Sequence, residues 1–334
     1  MIIVIGARGY IASKLLYRLE DPYCPIVLVD TAYRESWSPE GNVEAHSSLN
    51  FCSIQDLILR LKSLVQYLIV ERKLSDLNIV IINSSGFSRR GGDDKNATAN
   101  NYGVNIVIAT DIVILMNSIL TLDNVKSMSL IHLSTNALFF SKCPAAYENS
   151  KYAQESIFLN YFDSLKDNRI CCSILRLSDV FGDTHYHPSK LVNLVIDNSR
   201  KGIQLPYIDK SLIYRPIHHD FVVDQVIARV NASSMSHGEI VTQSLHSRRW
   251  YKVRELQQVA LSEAKRWKVQ RYAIRNFVYF VSALRRIRGT VGLKIKLMSC
   301  GYPRILQSSL RTTRFTPIYD DSNFVEYLAK AYKS

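Results

Sequence analysis

The chain opens with the apolar run Ile2-Ile3-Val4-Ile5, breaks at Gly6-Ala7-Arg8-Gly9, and resumes at Tyr10 in helix-compatible sequence that reaches Glu20. A short, uninterrupted apolar run closed by glycine fits a strand covered by helices on both faces, because neither side of it meets water. A second such run, Ile26 to Val29, closes at Asp30. The opening residues therefore predict one βαβ unit with parallel strands. Further apolar runs at Ile79 to Ile82, Leu130 to Leu133 and Ser173 to Leu175 alternate with helical stretches Leu57 to Val70, Val104 to Leu120 and Ala146 to Leu165. That alternation predicts an α/β fold with a doubly wound parallel sheet.

With 334 residues, 47% of them hydrophobic, the chain can bury a large core and is not a disordered protein. The alternation holds through Gly182 and weakens from Asp183, where His, Pro and Tyr become frequent. Residues 1–182 are read as the nucleotide-binding domain, and residues 183–334 mainly as a smaller lobe interleaved with the end of the sheet. The formal net charge of +13, concentrated in the stretch from Arg248 to Arg314, suits anionic partners of any kind: nucleic acid, lipid or phosphorylated small molecules. Within it, Val269 to Arg288 interleaves Tyr272, Phe277, Tyr279, Phe280 and Leu284 with five arginines, a pattern compatible with peripheral membrane contact. The six cysteines lack paired Cys-x-x-Cys spacing, and the N-terminus lacks a basic region and cleavage site, so reduced thiols in the cytoplasm are expected.

Strand before and helix after make Gly6, Arg8, Gly9, Tyr10 and Ile11 a candidate phosphate-binding turn, where backbone N–H groups and the positive helix end receive a dinucleotide pyrophosphate. Asp30, at the end of the next strand, is placed to accept hydrogen bonds from ribose hydroxyls and to repel a 2′-phosphate, which favours NAD. Arg8 and Arg34 are potential partners for that phosphate, so NADP stays open.

A strand running Leu130 to Leu133 delivers Ser134 and Thr135 to the crevice side of the sheet, and Tyr147 and Lys151, four residues apart, share one helix face. A phenol with an ordinary pKa of ~10 needs positive charge beside it to act as a base at neutral pH, and Lys151 with an oxidised nicotinamide would provide it. Thr135 would hydrogen-bond the reacting oxygen.

Tyr-x-x-x-Lys with an upstream Ser-Thr strand end and an N-terminal Gly-x-x-Gly-x-x-Ala resembles the extended short-chain dehydrogenase/reductases, the NAD-dependent epimerase/dehydratase family acting mainly on nucleotide sugars. The likeness extends to Leu175-Arg176-Leu177-Ser178-Asp179-Val180-Phe181-Gly182, to Arg215-Pro216-Ile217-His218-His219-Asp220 and to Asn105. It implies a Rossmann-type sheet with a C-terminal substrate-binding lobe. It also implies catalytic roles for Thr135, Tyr147 and Lys151, cofactor contacts from Ser84, Ser85 and Lys151, and substrate contacts from Asn136, Asp179 and Arg215. A homodimer, a nucleotide-sugar substrate and a place in polysaccharide biosynthesis follow from the same likeness, and no nucleic acid is expected, since cofactor and substrate phosphates already use the positive charge. The sugar dehydratases of the family carry Asp-Glu after the catalytic Thr, whereas this chain has Asn136 and Ala137, so an NAD-dependent epimerase fits better. A reductase needs the same three residues, and a dinucleotide-binding sensor or scaffold is the non-enzymatic alternative. Phe140 and Leu177 stand where the family usually has Gly and Pro.

The remaining polar residues have plainer readings. His132, inside an apolar strand, is a core histidine, and Cys171-Cys172 are packing residues. His185 and His187 divide evenly between substrate contact and ordinary loop. No metal is expected at His218 and His219, because neighbours on an extended chain point to opposite faces.

Overall fold

The computed structural model describes residues 1–19, 24–30, 53–72, 76–86, 95–136, 146–165, 167–182, 191–201, 213–232, 238–247, 251–252, 255–258 and 260–262. Outside them lie Arg34, Ala137, Phe140, His185, His187, the stretch Val269 to Arg288, the remaining basic residues from Arg254 to Arg314, and residues 87–94.

The first half contains β1 (Ile2–Ile5), α1 (Tyr10–Arg18), β2 (Ile26–Val29), α2 (Ile54–Arg72), β3 (Leu77–Asn83), α3 (Lys95–Leu120), β4 (Val125–Thr135) and α4 (Ala146–Leu165). The second half adds β5 (Ile170–Leu177), β6 (Val180–Phe181), α5 (Leu191–Arg200), β7 (Ile213–Tyr214), β8 (Ile217–His218), α6 (His219–Ala232), β9 (Ile240–Leu245) and β10 (Tyr251–Lys252). Six strands form one parallel sheet in the order β2-β1-β3-β4-β5-β9. This is a doubly wound α/β fold of the Rossmann type, and its winding reverses between β1 and β3, where such sheets open a crevice at their strand ends.

Period-two alternation divides each strand between two cores. Ile3, Ile5, Val27, Ile81 and Ile174 face α2, α3 and α4, meeting Leu61, Ile112, Leu115 and Phe158. Ile2, Val4, Leu28, Ile82, Leu133 and Leu175 face α1 and α6, meeting Leu15, Val222 and Val226. Each such side chain stabilises the fold by about 1.5–3 kcal/mol, which is why uniformly apolar strands end up in the middle layer. The segment Tyr102–Leu120 of α3 is long and apolar enough to cross a membrane, with a mean hydropathy of 1.9. Its Ile108, Ile112, Leu115, Met116 and Ile119 are core residues between the sheet and neighbouring helices, which accounts for that apolarity.

Five elements start earlier than the apolar runs predict, among them α2 at Ile54 and β3 at Leu77. α3 begins at Lys95 with a polar stretch that carries no hydrophobic period. β4 begins at Val125, where the buried Ser127 and Ser129 interrupt its run. β5 begins at Ile170.

Backbone contacts divide the chain into two compact units, Met1–Val180 with Ile217–His246, and Phe181–Pro216 with Ser247–Ser334. The first contains the whole six-stranded sheet. In the second, β7 pairs antiparallel with β10, Tyr214 opposite Tyr251, and α5 buries Val192, Val195 and Ile196.

Candidate active site

Gly6 leaves β1 with φ of 75°, and a Cβ there would lie 2.7 Å from Ser85 Cα and 2.8 Å from Ser85 N. The end of β3 thus passes so close to the turn that only glycine fits. The Gly9 N–H closes the turn onto the Gly6 carbonyl at 2.8 Å, and Gly9 then serves as N-cap of α1 without any side-chain cap. An uncapped helix start at the crevice suits a phosphate, which brings the acceptors that the first-turn N–H groups need.

Residues Gly6, Arg8, Gly9, Tyr10, Ile11, Asp30, Ser84 and Ser85 all sit at the ends of β1, β2 and β3 or at the head of α1. The Arg8 N–H donates to Asp30 Oδ2 at 3.0 Å. Ser84 Oγ donates to the Ile5 and Gly6 carbonyls at 2.9 and 3.1 Å. The Tyr10 hydroxyl meets His219 Nδ1 at 3.0 Å, and the Ile11 side chain packs against the α1/α6 core. These two side chains therefore serve the fold, leaving the backbone of that turn to face a ligand.

Thr135 ends β4, Tyr147 lies half-buried in the first turn of α4, and Lys151 follows one turn later with 3% of its surface exposed. Lys151 Nζ donates to the Ser85 carbonyl at 3.2 Å, the Leu133 carbonyl at 3.3 Å and Gln154 Oε1 at 2.9 Å. Three N–H bonds thus find three acceptors. Burial pulls the Lys151 pKa down to about 8, while the nearby Glu155 carboxylate works in the opposite direction. Close packing around the amine is enforced at Gly86, where a Cβ would stand 3.0 Å from Lys151 Nζ. Asn105 Nδ2 donates to Ser150 Oγ at 2.8 Å, and Ser150 Oγ donates to the Tyr147 carbonyl at 2.7 Å, anchoring the first turn of α4 to α3.

Several supporting contacts join residues whose pairing no motif signals. Arg176 on β5 grips Glu155 through both carboxylate oxygens, with its closest contact at 2.7 Å and Glu155 1% exposed. Asn83 Oδ1 accepts the Ser85 N–H and hydroxyl, which orients the Asn83 amide nitrogen toward His132 Nδ1 at 3.1 Å. His132 packs edge-on against Phe158. Burial and the Lys151 charge hold its pKa well below the usual range, so it is a neutral core histidine. A His next to an Asn on neighbouring strands was the available clue, but only the β3–β4 register, Asn83 opposite His132, makes it legible.

Among the substrate candidates, Asn136 is 2% exposed and its amide donates to the Leu245 carbonyl at 3.1 Å, tying β4 to β9. The Asp179 carbonyl accepts the Ile217 N–H at 3.0 Å. Arg215 belongs to the second compact unit, where its Nε donates to the Ser247 carbonyl at 2.7 Å.

His218 and His219 do not diverge as an extended chain would have them. The chain leaves β8 at His218 and enters α6 at His219, which brings the rings to 4.2 Å and places both against Asp220, at 3.4 and 3.0 Å. Three ligand-type atoms fall within 4.8 Å of one another. His219 uses both ring nitrogens, Nε2 toward Asp220 Oδ1 and Nδ1 toward the Tyr10 hydroxyl, and the cluster lies at a helix N-terminus whose positive end opposes a cation.

The fold and the strand-end site define a Rossmann-type α/β protein with a glycine turn, a carboxylate after β2 and a Thr–Tyr–Lys set. Solved structures share this architecture. A dTDP-glucose 4,6-dehydratase from Bacillus anthracis, in complex with NAD, is 19% identical with a TM-score of 0.56, over 78% of this chain and 80% of its own. A UDP-glucose 4-epimerase from Thermotoga maritima, with UDP-glucose, is 18% identical with a TM-score of 0.54, over 79% and 82%. A Thermus thermophilus UDP-glucose 4-epimerase in complex with NAD is 15% identical with a TM-score of 0.54, over 79% and 83%. No family model and no curated protein sequence matches the chain.

Proposed function

We propose that this chain is an NAD-dependent epimerase of a nucleotide sugar, working in the cytoplasm through a transient keto-sugar. The observation that carries the reading is the buried Lys151 ammonium one helical turn from Tyr147, between the ends of β3 and β4. Tyr147 takes the proton of a sugar hydroxyl and later returns it, and Lys151 favours the phenolate by charge and binds the nicotinamide ribose. Thr135 fixes the reacting oxygen. The glycine turn receives the pyrophosphate and Asp30 the adenosine ribose, a set of residues that fits NAD. When bound, NAD supplies the reversible hydride acceptor. Asn136 offers no carboxylate for elimination and spends its amide on Leu245, which supports epimerisation over dehydration. Asp179 and Arg215 are the proposed substrate contacts, Arg215 toward the diphosphate. Exposed Val107 and Ile114 on α3 and Tyr152 on α4 support pairing of two copies through these helices.

The test is to denature freshly purified protein and identify released dinucleotide by mass spectrometry, then assay UDP- and dTDP-hexoses with the wild type and Tyr147→Phe. A redox-neutral enzyme retains stoichiometric NAD, and Tyr147→Phe lowers turnover about 10²–10⁴-fold. An empty site, or NADP, selects a carbonyl reductase instead, and full turnover by Tyr147→Phe refutes the acid–base assignment.

A further inference from the structure

Gln154 is completely buried, and its amide has one available orientation. Oε1 accepts from Lys151 Nζ at 2.9 Å, while Nε2 donates to the Asn105 carbonyl on α3 at 3.1 Å. Turning the amide over would set an NH₂ group against an ammonium and a carbonyl against a carbonyl.

The other two acceptors of Lys151 are the Ser85 and Leu133 carbonyls, at the end of β3 and within β4. Their positions are fixed by the sheet. Gln154 Oε1 is the acceptor carried on a side chain, and so the one Lys151 can exchange when a ligand hydroxyl or a phenolate draws the ammonium forward. We propose that Gln154 is a positioning residue, a displaceable acceptor that holds the Lys151 ammonium charged and aligned until the cofactor and Tyr147 engage it. The inference rests on the reading of Lys151 as the amine of the acid–base pair.

An acceptor stabilises the charged amine and therefore raises its pKa, against the burial that lowers it. Among the described residues, the charged or titratable groups that bear on Lys151 are Glu155 on its own helix, held by Arg176 of β5, and His132 of β4, which is neutral, with Tyr147 one turn before it on the same helix.

The experiment labels the lysine ε-carbons of the full chain with ¹³C, assigns Lys151 by the signal lost in Lys151→Arg, and follows its titration without ligand. Gln154→Leu is expected to move the midpoint down, and Gln154→Glu to move it up, each by about one pH unit or more. Calorimetric titration with NAD at pH 7 and 9 is the second readout, and Gln154→Leu is expected to lose more affinity at pH 9 than the wild type does. Midpoints unmoved in folded variants overturn the proposal. If Gln154→Leu does not fold, the nearly isosteric Gln154→Glu decides alone, and an unmoved midpoint is again fatal. Failure of NAD to bind any of the proteins would refute the dinucleotide reading, while the Lys151 titration would still report on Gln154.

Discussion

The backbone N–H of Arg8, inside the glycine turn, donates to the carboxylate of Asp30 at the end of β2 at 3.0 Å, so turn and second strand are locked together where an adenosine ribose would lie. Asp30 thus braces the turn with one oxygen, and in the proposed reading its charge opposes a 2′-phosphate. Asp30→Ala is expected to weaken NAD binding about tenfold or more, the scale of a lost charged hydrogen bond. It should also narrow any preference over NADP. Calorimetric titration with both dinucleotides checks this, and equal affinity of the wild type for the two would remove the assigned role.

Two glycines separate turn geometry from helix propensity. Gly6→Ala combines a positive φ with a Cβ pressed onto Ser85 backbone at 2.7 Å, so β1 or the end of β3 must shift. A loss of about 1–3 kcal/mol in urea unfolding is expected, together with loss of NAD binding. At Gly103, in α3, an added methyl group would meet nothing within 4 Å. Gly103→Ala is expected to stabilise by about 0.5–1 kcal/mol through helix propensity alone. Equal effects of the two substitutions would contradict the close approach at Gly6.

Glu155 holds Arg176 through a two-oxygen grip and lies one turn past Lys151, so a single carboxylate serves both cations. Glu155→Gln keeps the shape and removes the charge. The expected loss is about 3–5 kcal/mol, the cost of leaving a partly buried charge without its partner. The same change pulls the Lys151 midpoint further down, because Glu155 favours the charged amine. Thermal unfolding and lysine NMR report the two effects separately.

Strand β1, strand β2 and helix α4 were legible to their end residues, since Ile2–Ile5, Ile26–Val29 and Ala146–Leu165 each carry their own pattern and flanking breaks. The candidate glycine turn, Thr135, Tyr147 and Lys151 could be nominated from local spacing alone, and the fold places them at the strand ends of the sheet and the first turns of α1 and α4. β9 was not legible, because Ile240–Leu245 alternates half-buried with exposed positions, and only pairing with β5 makes it the sixth strand. Glu155–Arg176, Asn83–His132 and Gln154–Asn105 were hidden because each joins distant elements, and no spacing in one segment encodes a register between two. The paired histidines misled for a local reason: the strand-to-helix junction falls between His218 and His219.

Lys151 makes the site's electrostatic cost measurable. Its pKa is about 8 in the folded protein against an ordinary 10.5, so between these values the unfolded chain holds a proton that the folded chain has released. Stability therefore rises with pH across that window, by about 1.4 kcal/mol per pH unit, and the penalty is fully present below pH 8, where both states are protonated. Urea unfolding of the wild type and Lys151→Met isolates this contribution from every other titrating group. The difference between them is expected to stay constant below pH 8, then to shift in favour of the wild type, by about 2 kcal/mol at pH 9.5. A difference that stays flat through pH 9.5 would mean the amine titrates as an ordinary lysine. In the expected case, the charge proposed to activate Tyr147 at neutral pH is held at the expense of folding stability, and a ligand that offers the ammonium oxygen atoms recovers part of it on binding.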